Sequence, residues 1–220
     1  MSFLVVANFK SNLTEAEVKT WLSQVKPMPG MVVAPSFPHL SMIHDLKPMI
    51  SLAAQDVSSF PPGSYTGAIN AVQLKELGVT YCLVGHSERR RYFHETSNDI
   101  AGKVRELVSS GITPIICLEE SDVVPQFSAL EAEYYDKCIY CFEPGTGLGG
   151  TVTATIADIE KVKNQIYQFV PEARFMYGGS VTLDNVESLL PLKLTGLLVA
   201  TASLNPHNFI SIIEKVAHVS

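Results

Sequence analysis

Tyr81-Cys82-Leu83-Val84-Gly85 is followed directly by the polar run His86-Ser87-Glu88-Arg89-Arg90-Arg91. Consecutive apolar side chains without alternation predict a strand that is buried on both faces, as in a parallel sheet. The charged run that follows predicts a short helix. This stretch therefore predicts a buried strand that passes through a glycine turn into a helix, the unit from which parallel α/β folds are built.

The same pattern recurs along the chain. Seven further apolar runs occupy Phe3–Asn8, Met31–Pro35, Ser51–Gln55, Thr113–Leu118, Cys138–Glu143, Arg174–Gly178 and Gly196–Thr201. Segments of helical period separate them. Eight strands alternating with helices predict an α/β fold, and the number eight favours a closed (β/α)8 barrel. An open doubly wound sheet is the alternative.

Three helices are predicted most clearly. Thr14 and Glu17 have the spacing of a capping box, which predicts a helix over Thr14 to Val25. Ser97 is predicted to cap a second helix. Two buried stripes at helical spacing are Ile100, Val104, Leu107 and Val108 in that second helix and Phe209, Ile212, Ile213 and Val216 near the end of the chain.

The bulk composition fits one domain over residues 1–220. The chain is 46% hydrophobic and carries a net charge of −6, which argues against nucleic-acid binding. It shows no basic leader and no run near the roughly 20 apolar residues of a membrane span, so a cytoplasmic location is expected. The length falls short of the roughly 250 residues typical of such barrels. We expect the difference in length to lie in the connection after the fifth strand, at Glu119–Lys137, which is predicted to be short.

In a (β/α)8 barrel the chemistry lies at the carboxyl ends of the strands. This rule selects Asn8, Lys10, Gln55, Asp56, His86, Glu143, the turn Gly178-Gly179-Ser180, and Ala200 to Ser203. A lone carboxylate, imidazole or lysine usually has a structural role. Glu143, His86 and Lys10 together, however, are what proton abstraction beside a carbonyl requires.

In that chemistry the carboxylate accepts a carbon-bound proton, and the other two groups stabilise the negative charge that develops on oxygen. His86 precedes a predicted helix, whose positive end disfavours the charged imidazole. Backbone N–H groups at Gly179-Ser180 and around Thr201-Ala202 can hold a phosphate, because the small residues permit close approach.

These residues also carry a family resemblance. The segments are ANFKSN at 7–12, AAQD at 53–56, GSYTG at 63–67, GHSERR at 85–90, FEP at 142–144, TAT at 153–155, YGGSV at 177–181 and LLVATASL at 197–204. In this order and near this spacing they resemble triosephosphate isomerase over almost the whole chain. GHSERR together with YGGSV is highly specific.

The resemblance implies a single TIM barrel that interconverts dihydroxyacetone phosphate and glyceraldehyde 3-phosphate without a cofactor or metal. It implies that Glu143 is the base, that His86 shuttles protons between the oxygens, and that Lys10 and Asn8 bind the substrate. Glu95 would be a carboxylate beside the lysine, with an assisting role. The implied substrate and phosphate contacts are Asn8, Lys10, Leu148, Gly149, Gly179, Ser180, Ala200 and Thr201. A homo-oligomer, either a dimer or a tetramer, is expected through the loop around Gly63–Gly67.

The chain departs from the family pattern at three places. The lid that follows Pro144 is unusually rich in glycine at 145–150, which predicts looser closure because glycine loses more entropy on ordering. Ala200-Thr201 replaces a glycine pair near the phosphate. Ala68 replaces a glutamate beside the loop used for subunit contact.

The sequence offers three rival functions. Gly145-x-Gly147-x-x-Gly150 resembles a dinucleotide fingerprint, but the next strand ends in Gly178-Gly179-Ser180 instead of the acidic residue that the motif needs. Cys138-x-x-Cys141 suggests a redox or metal pair, but side chains three apart on a strand point to opposite faces, which favours core cysteines. A barrel that binds a phosphosugar without turnover is the third rival.

Overall fold

The computed structural model describes residues 3–145 and 154–217, and within them eight parallel strands close into a barrel. The strands are β1 Leu4–Asn8, β2 Met31–Ala34, β3 Ser51–Ala54, β4 Val79–Val84, β5 Thr113–Leu118, β6 Ile139–Phe142, β7 Arg174–Tyr177 and β8 Gly196–Val199. Each strand pairs with the next in the chain, and β8 returns to β1 with Val5 opposite Leu197. The predicted closed barrel is confirmed, and the open doubly wound sheet is excluded.

Helices connect the strands. In the described residues they are α1 Glu15–Ser23, α2 Leu40–Leu46, α3 Ala71–Glu76, α4 Ser87–Tyr92, α5 Ser97–Ser109, α6 Val123–Ala129, α7 Ile156–Phe169, α8 Val186–Leu189 and α9 Pro206–Ala217. None of the helices in these two ranges is both long enough and apolar enough to cross a bilayer.

Side-chain caps fix where the longer helices begin. Thr14 and Glu17 form the predicted capping box at α1. At α5 the predicted cap was wrong by one residue. Thr96 is the cap, because its extended backbone lets its side chain accept from the N–H of Asp99, whereas Ser97 is the first helical residue.

Apolar side chains form two layers. One cluster fills the barrel interior and contains Cys141, and a larger cluster between the strands and the helices contains Cys138. The two thiols therefore lie in different layers, and each is at most 1% exposed. This agrees with the interpretation of both as core cysteines.

The connection between β5 and β6 is short, as the sequence predicts. It consists of a 3-10 turn at Glu120–Asp122, the seven-residue α6, and a second 3-10 segment at Ala132–Lys137. The helix is retained because Phe127 anchors it, stacking on Phe169 at 4.3 Å and on Tyr140 at 5.0 Å.

Candidate active site

The carboxyl ends of the parallel strands gather the predicted site residues at one rim. Asn8 is the last residue of β1, and Lys10 follows it by two positions. His86 follows β4 by two residues, and Glu143 directly follows β6. Because all eight strands run in the same direction around the closed barrel, these ends face the same side of the molecule.

Glu143 and His86 are in direct contact. His86 Nε2 lies 3.1 Å from Glu143 Oε1, and the backbone N–H of Ser87 lies 3.4 Å from Glu143 Oε2. The two side chains are only 9% and 10% exposed. A carboxylate buried to this degree requires partners, and here an imidazole and a backbone donor provide them.

The orientation of the imidazole follows from its place in the chain. His86 is the N-cap of α4, and its Nδ1 accepts a hydrogen bond of 3.2 Å from the backbone N–H of Glu88. An accepting Nδ1 carries no proton, so the ring proton of the neutral form is on Nε2, directed at Glu143.

Electrostatics in the pair favours charge on both groups. Burial by itself raises the pKa of Glu143, but the charge and hydrogen bond of His86 outweigh it and lower that pKa below 4.5. Burial likewise lowers the pKa of His86, but the charge and hydrogen bond of Glu143, together with the charge of Glu88, raise that pKa above 6.5. The helix by itself favours a neutral imidazole. The adjacent carboxylates act in the opposite direction.

Lys10 adopts a left-handed backbone conformation with φ of 50°. Its carbonyl accepts hydrogen bonds of 2.9 Å from both Ser36 and Gln55, and its N–H donates to Asn8 Oδ1 at 3.1 Å. These bonds stabilise a conformation that an L-residue rarely adopts. The result directs the ammonium toward Glu88, whose Oε1 lies 2.7 Å from Lys10 Nζ.

The assignment of Glu95 as the carboxylate beside the lysine was wrong, because Glu88 holds that position. Glu95 instead pairs with Arg89, at 2.6 Å, and with Lys103. Asp56 contacts the same two cations at 2.8 and 2.6 Å. Two carboxylates and two cations thus form a mostly buried cluster beneath α4. Glu95 therefore pairs with cations beneath the rim and makes no ion pair with Lys10.

The GHSERR segment builds this part of the rim residue by residue. Gly85 has φ of +70°, and a Cβ there would lie 2.9 Å from both Arg90 and Ile100. Arg90 donates from Nε to the Gly85 carbonyl at 2.8 Å and from NH2 to Gln126 Oε1 at 3.0 Å. The close packing around Gly85 and the hydrogen bond from Arg90 therefore fix this turn, and the turn sets the position of His86.

The glycine turn after β7 packs against the base. A Cβ at Gly178 would lie 3.2 Å from Glu143 Cγ, and one at Gly179 would lie 2.6 Å from Pro144 and 2.2 Å from the Tyr177 hydroxyl. Ser180 follows with φ of 47°. The two glycines thus permit close packing beside Glu143 and Pro144, in addition to any contact that they make with a phosphate.

Of the other predicted phosphate contacts, the structure describes Ala200 and Thr201 but not Leu148 and Gly149. Ala200 directly follows β8, and Thr201 begins a 3-10 turn at Thr201–Leu204. Both lie on the same rim as Glu143. Leu148 and Gly149, together with most of the glycine-rich segment at 145–150, fall outside the described residues.

Sequence reasoning missed Glu88 and Ser87, and it placed Gln55 at the rim without giving that residue a role. Glu88 sits in the first turn of α4, two positions after His86, and it bridges Lys10 and the imidazole, with 3.7 Å between its Oε2 and His86 Nδ1. Its position inside the charged run was the available signal. The function of the Gln55 side chain depends on the backbone of Lys10, a contact that no local pattern encodes.

The geometry defines the class of protein: a (β/α)8-barrel enzyme whose rim joins a buried carboxylate, an imidazole and an ammonium group for proton transfer. The family model for triosephosphate isomerase matches residues 3–216. The chain belongs to the triosephosphate isomerase family.

Relatives agree over nearly their full length. Triosephosphate isomerase of Polynucleobacter asymbioticus is 34% identical, with 96% of this chain and 98% of that protein covered. The enzyme of the Wolbachia symbiont of Brugia malayi is 33% identical, with 98% of each chain covered. That of Thermus thermophilus is 32% identical, with 96% of this chain and 97% of that protein covered. The expected family is confirmed.

Proposed function

We propose that this chain catalyses the interconversion of dihydroxyacetone phosphate and D-glyceraldehyde 3-phosphate, an intramolecular aldose–ketose isomerisation of glycolysis and gluconeogenesis, with Glu143 as its base. The family membership supports the reaction. The contact of 3.1 Å between Glu143 and His86, in a buried setting, is the observation that supports the roles of the residues.

The reaction transfers one proton between adjacent carbons. The Glu143 carboxylate takes the proton from the carbon beside the carbonyl, and the electron pair of that C–H bond moves to give an enediolate with negative charge on oxygen. His86 protonates that oxygen from Nε2 and takes the hydroxyl proton of the neighbouring oxygen, so that a second proton passes from one oxygen to the other, and Lys10 stabilises the charge. Glu143 then returns the proton to the neighbouring carbon, so the base is regenerated and no cofactor is consumed.

The free site prepares both partners for this step. A lowered pKa keeps Glu143 ionised near neutral pH, so it can accept a proton at once. The substrate must replace the contact between Glu143 and His86 with contacts of its own, since both groups act on it. Asn8 is 3% exposed at the end of β1 and supports the backbone of Lys10.

We assign the phosphate to the part of the rim formed by the turns after β7 and β8, which lies between Glu143 after β6 and Asn8 at the end of β1. We place it against the backbone of Gly179-Ser180 and of Ala200-Thr201, and we propose Leu148 and Gly149 as further phosphate contacts. Supporting this, the turns after β7 and β8 are adjacent, because Tyr177 pairs with Leu197. Backbone N–H groups are the donors that an anion binds in such turns.

A coupled assay with dihydroxyacetone phosphate tests the function directly. The wild-type protein is expected to turn over, and Glu143→Gln is expected to lower kcat by about 10²–10⁴-fold, the range for a general base. Circular dichroism should show that the variant is folded. A wild-type protein that binds inorganic phosphate but does not isomerise the substrate would support the non-catalytic alternative instead. Near-normal kcat/KM in the variant would remove Glu143 from the mechanism.

We further propose that the enzyme is a cytoplasmic homo-oligomer, a dimer or a tetramer, that uses the loop around Gly63–Gly67. Phe60 and Tyr65 in this loop are 52% and 44% exposed and stack on each other at 4.7 Å. Phe93, itself 65% exposed, lines a cavity of about 310 Å³ that also contains Lys10. An exposed aromatic pair and an apolar-edged cavity suit a contact between copies.

A further inference from the structure

Trp21 is the only tryptophan of the chain, and it is 2% exposed in α1. Its indole Nε1–H donates a hydrogen bond of 2.9 Å to the backbone carbonyl of Ser203, which is 182 positions away in sequence. Because a buried indole N–H needs an acceptor and a buried carbonyl needs a donor, each group fixes the other. The bond therefore attaches α1 to the turn that follows β8.

Ser203 transmits this restraint to the rim. It is fully buried, and both its backbone N–H and its hydroxyl donate to the carbonyl of Ala200, at 2.9 and 2.6 Å. Ala200 and Thr201 therefore lie between two restrained residues: Val199, the last residue of β8, and Ser203, whose carbonyl accepts the hydrogen bond from Trp21. The position of this turn is therefore restrained by the indole as well as by the strand.

The ring of Trp21 also contacts the segment that follows the neighbouring strand, β1. Its centroid lies 5.0 Å from that of Phe9, in an edge-to-face arrangement at 70°. Phe9 is 1% exposed, and its two neighbours in the chain are Asn8 and Lys10. Edge-to-face aromatic pairs have a preferred geometry, so this contact restrains the segment after β1. One side chain thus contacts the segments that follow two paired strands, β1 and β8.

We propose that Trp21 is a positioning residue for the anionic end of the substrate, which restrains the conformation of the Ala200-Thr201 turn beside the Asn8–Lys10 segment of the paired strand. This inference rests on the proposed function, because it assumes that these two segments bind the phosphorylated substrate. Trp21 touches no reacting atom. Its effect is expected on binding of the phosphate group and not on the chemical step.

The test is Trp21→Phe, which keeps an aromatic ring in the core and removes the N–H. The loss of one positioning hydrogen bond is expected to raise KM for dihydroxyacetone phosphate about fivefold and to raise the inhibition constant of inorganic phosphate by a similar factor. The value of kcat should stay within about twofold, since Glu143 and His86 are untouched.

Val18→Ala is the matched control, because Val18 is fully buried on the same helix and has no bond to the turn after β8. It should lower the melting temperature without changing KM. In the wild-type protein, Trp21 fluorescence should change saturably when inorganic phosphate is added. Since the chain has one tryptophan, the signal needs no assignment.

The inference is overturned if Trp21→Phe keeps the wild-type KM and phosphate inhibition constant, or if Val18→Ala raises KM by the same factor. Both outcomes leave the isomerase function intact. A wild-type protein without turnover would remove the proposed function instead, and the fluorescence titration with phosphate would still test the positioning role of Trp21.

Discussion

His86 is the residue on which opposing influences meet. As the N-cap of α4 it accepts a backbone hydrogen bond on Nδ1, and as the partner of Glu143 it faces a carboxylate at 3.1 Å. Burial lowers the pKa of the imidazole, and the Glu143 carboxylate, with the charge of Glu88, raises it, so that the net shift is upward. The protonation of this ring is therefore coupled to the state of Glu143, the group with which it shares the chemistry.

The first prediction concerns a variant that lacks the Glu143 charge. In Glu143→Gln the pKa of His86 should fall below its wild-type value, because the effect of burial remains while the charge that raises the pKa is gone. NMR titration of the imidazole in both proteins measures the difference. An unchanged or higher pKa in the variant would show that Glu143 does not set the charge of His86.

The same pair predicts how stability depends on pH. The lowered pKa of Glu143 contributes stability that is present above pH 4.5 and is lost as the pH falls through the folded value. The raised pKa of His86 contributes stability that is present below pH 6.5 and is lost as the pH rises through the folded value. The two contributions coincide between pH 4.5 and 6.5. Urea unfolding of the wild type should show this dependence, and Glu143→Gln should lack most of it.

Glu88 and Glu95 form a matched pair for a third prediction. Glu88→Gln removes the partner of Lys10 and should lower kcat/KM about tenfold. It should change the free energy of unfolding by at most about 1 kcal/mol, because Lys10 and Glu88 are 33% and 46% exposed. Glu95→Gln should instead cost about 3–5 kcal/mol, because it leaves buried Lys103 with one fewer carboxylate.

Steady-state kinetics and urea unfolding on the same two proteins check this contrast. The assignment of Glu88 to the site fails if the two variants exchange roles, with Glu95→Gln losing activity at wild-type stability.

At the scale of elements, caps decide where the helices begin. Thr96 and Asp99 bond reciprocally at the start of α5, and Thr155 and Asp158 do the same at α7. Threonine followed three residues later by an acidic residue is a local signal, which is why the beginning of α1 could be predicted from sequence. The same signal marks Thr96, with Asp99, and not Ser97, which is followed three residues later by Ile100, so the predicted cap at Ser97 overlooked it.

Thr96→Ala should therefore destabilise the protein by about 1 kcal/mol through loss of the cap, and Ser97→Ala should change stability little. Thermal unfolding of the two variants measures the difference. Equal destabilisation by both substitutions would contradict the assignment of the cap.

Strand order and strand ends could be predicted from sequence for a related reason. Buried parallel strands need continuous apolar runs, so each run marks an element, and the chemistry at its end follows from the barrel rule. Contacts between strand ends could not be predicted in this way. The pairing of Lys10 with Glu88 spans 78 positions, and the placing of Glu95 depends on Arg89 and Lys103, which lie on different helices.

At the scale of the molecule, the barrel converts sequence distance into proximity. Glu143 lies 57 positions from His86 and yet contacts it, because β4, β5 and β6 are neighbouring strands of the barrel whose carboxyl ends lie at one rim. Aromatic surface is exposed beside the rim: Phe60, Tyr65 and Phe93 are all at least 44% exposed. The surface around the site thus has a composition that suits contact with another protein chain.

The last prediction concerns that surface. The wild-type protein should sediment at twice its chain mass or more, and a variant with both Phe60→Ser and Tyr65→Ser should sediment as a monomer, because it loses the stacked pair that we place at the contact. Met49→Ser is the control: Met49 is 80% exposed and precedes β3, at the opposite end of the strands from the site. It should leave the sedimentation coefficient unchanged. An oligomer that survives the double substitution would place the contact elsewhere, and a monomeric wild-type protein would remove the proposed assembly altogether.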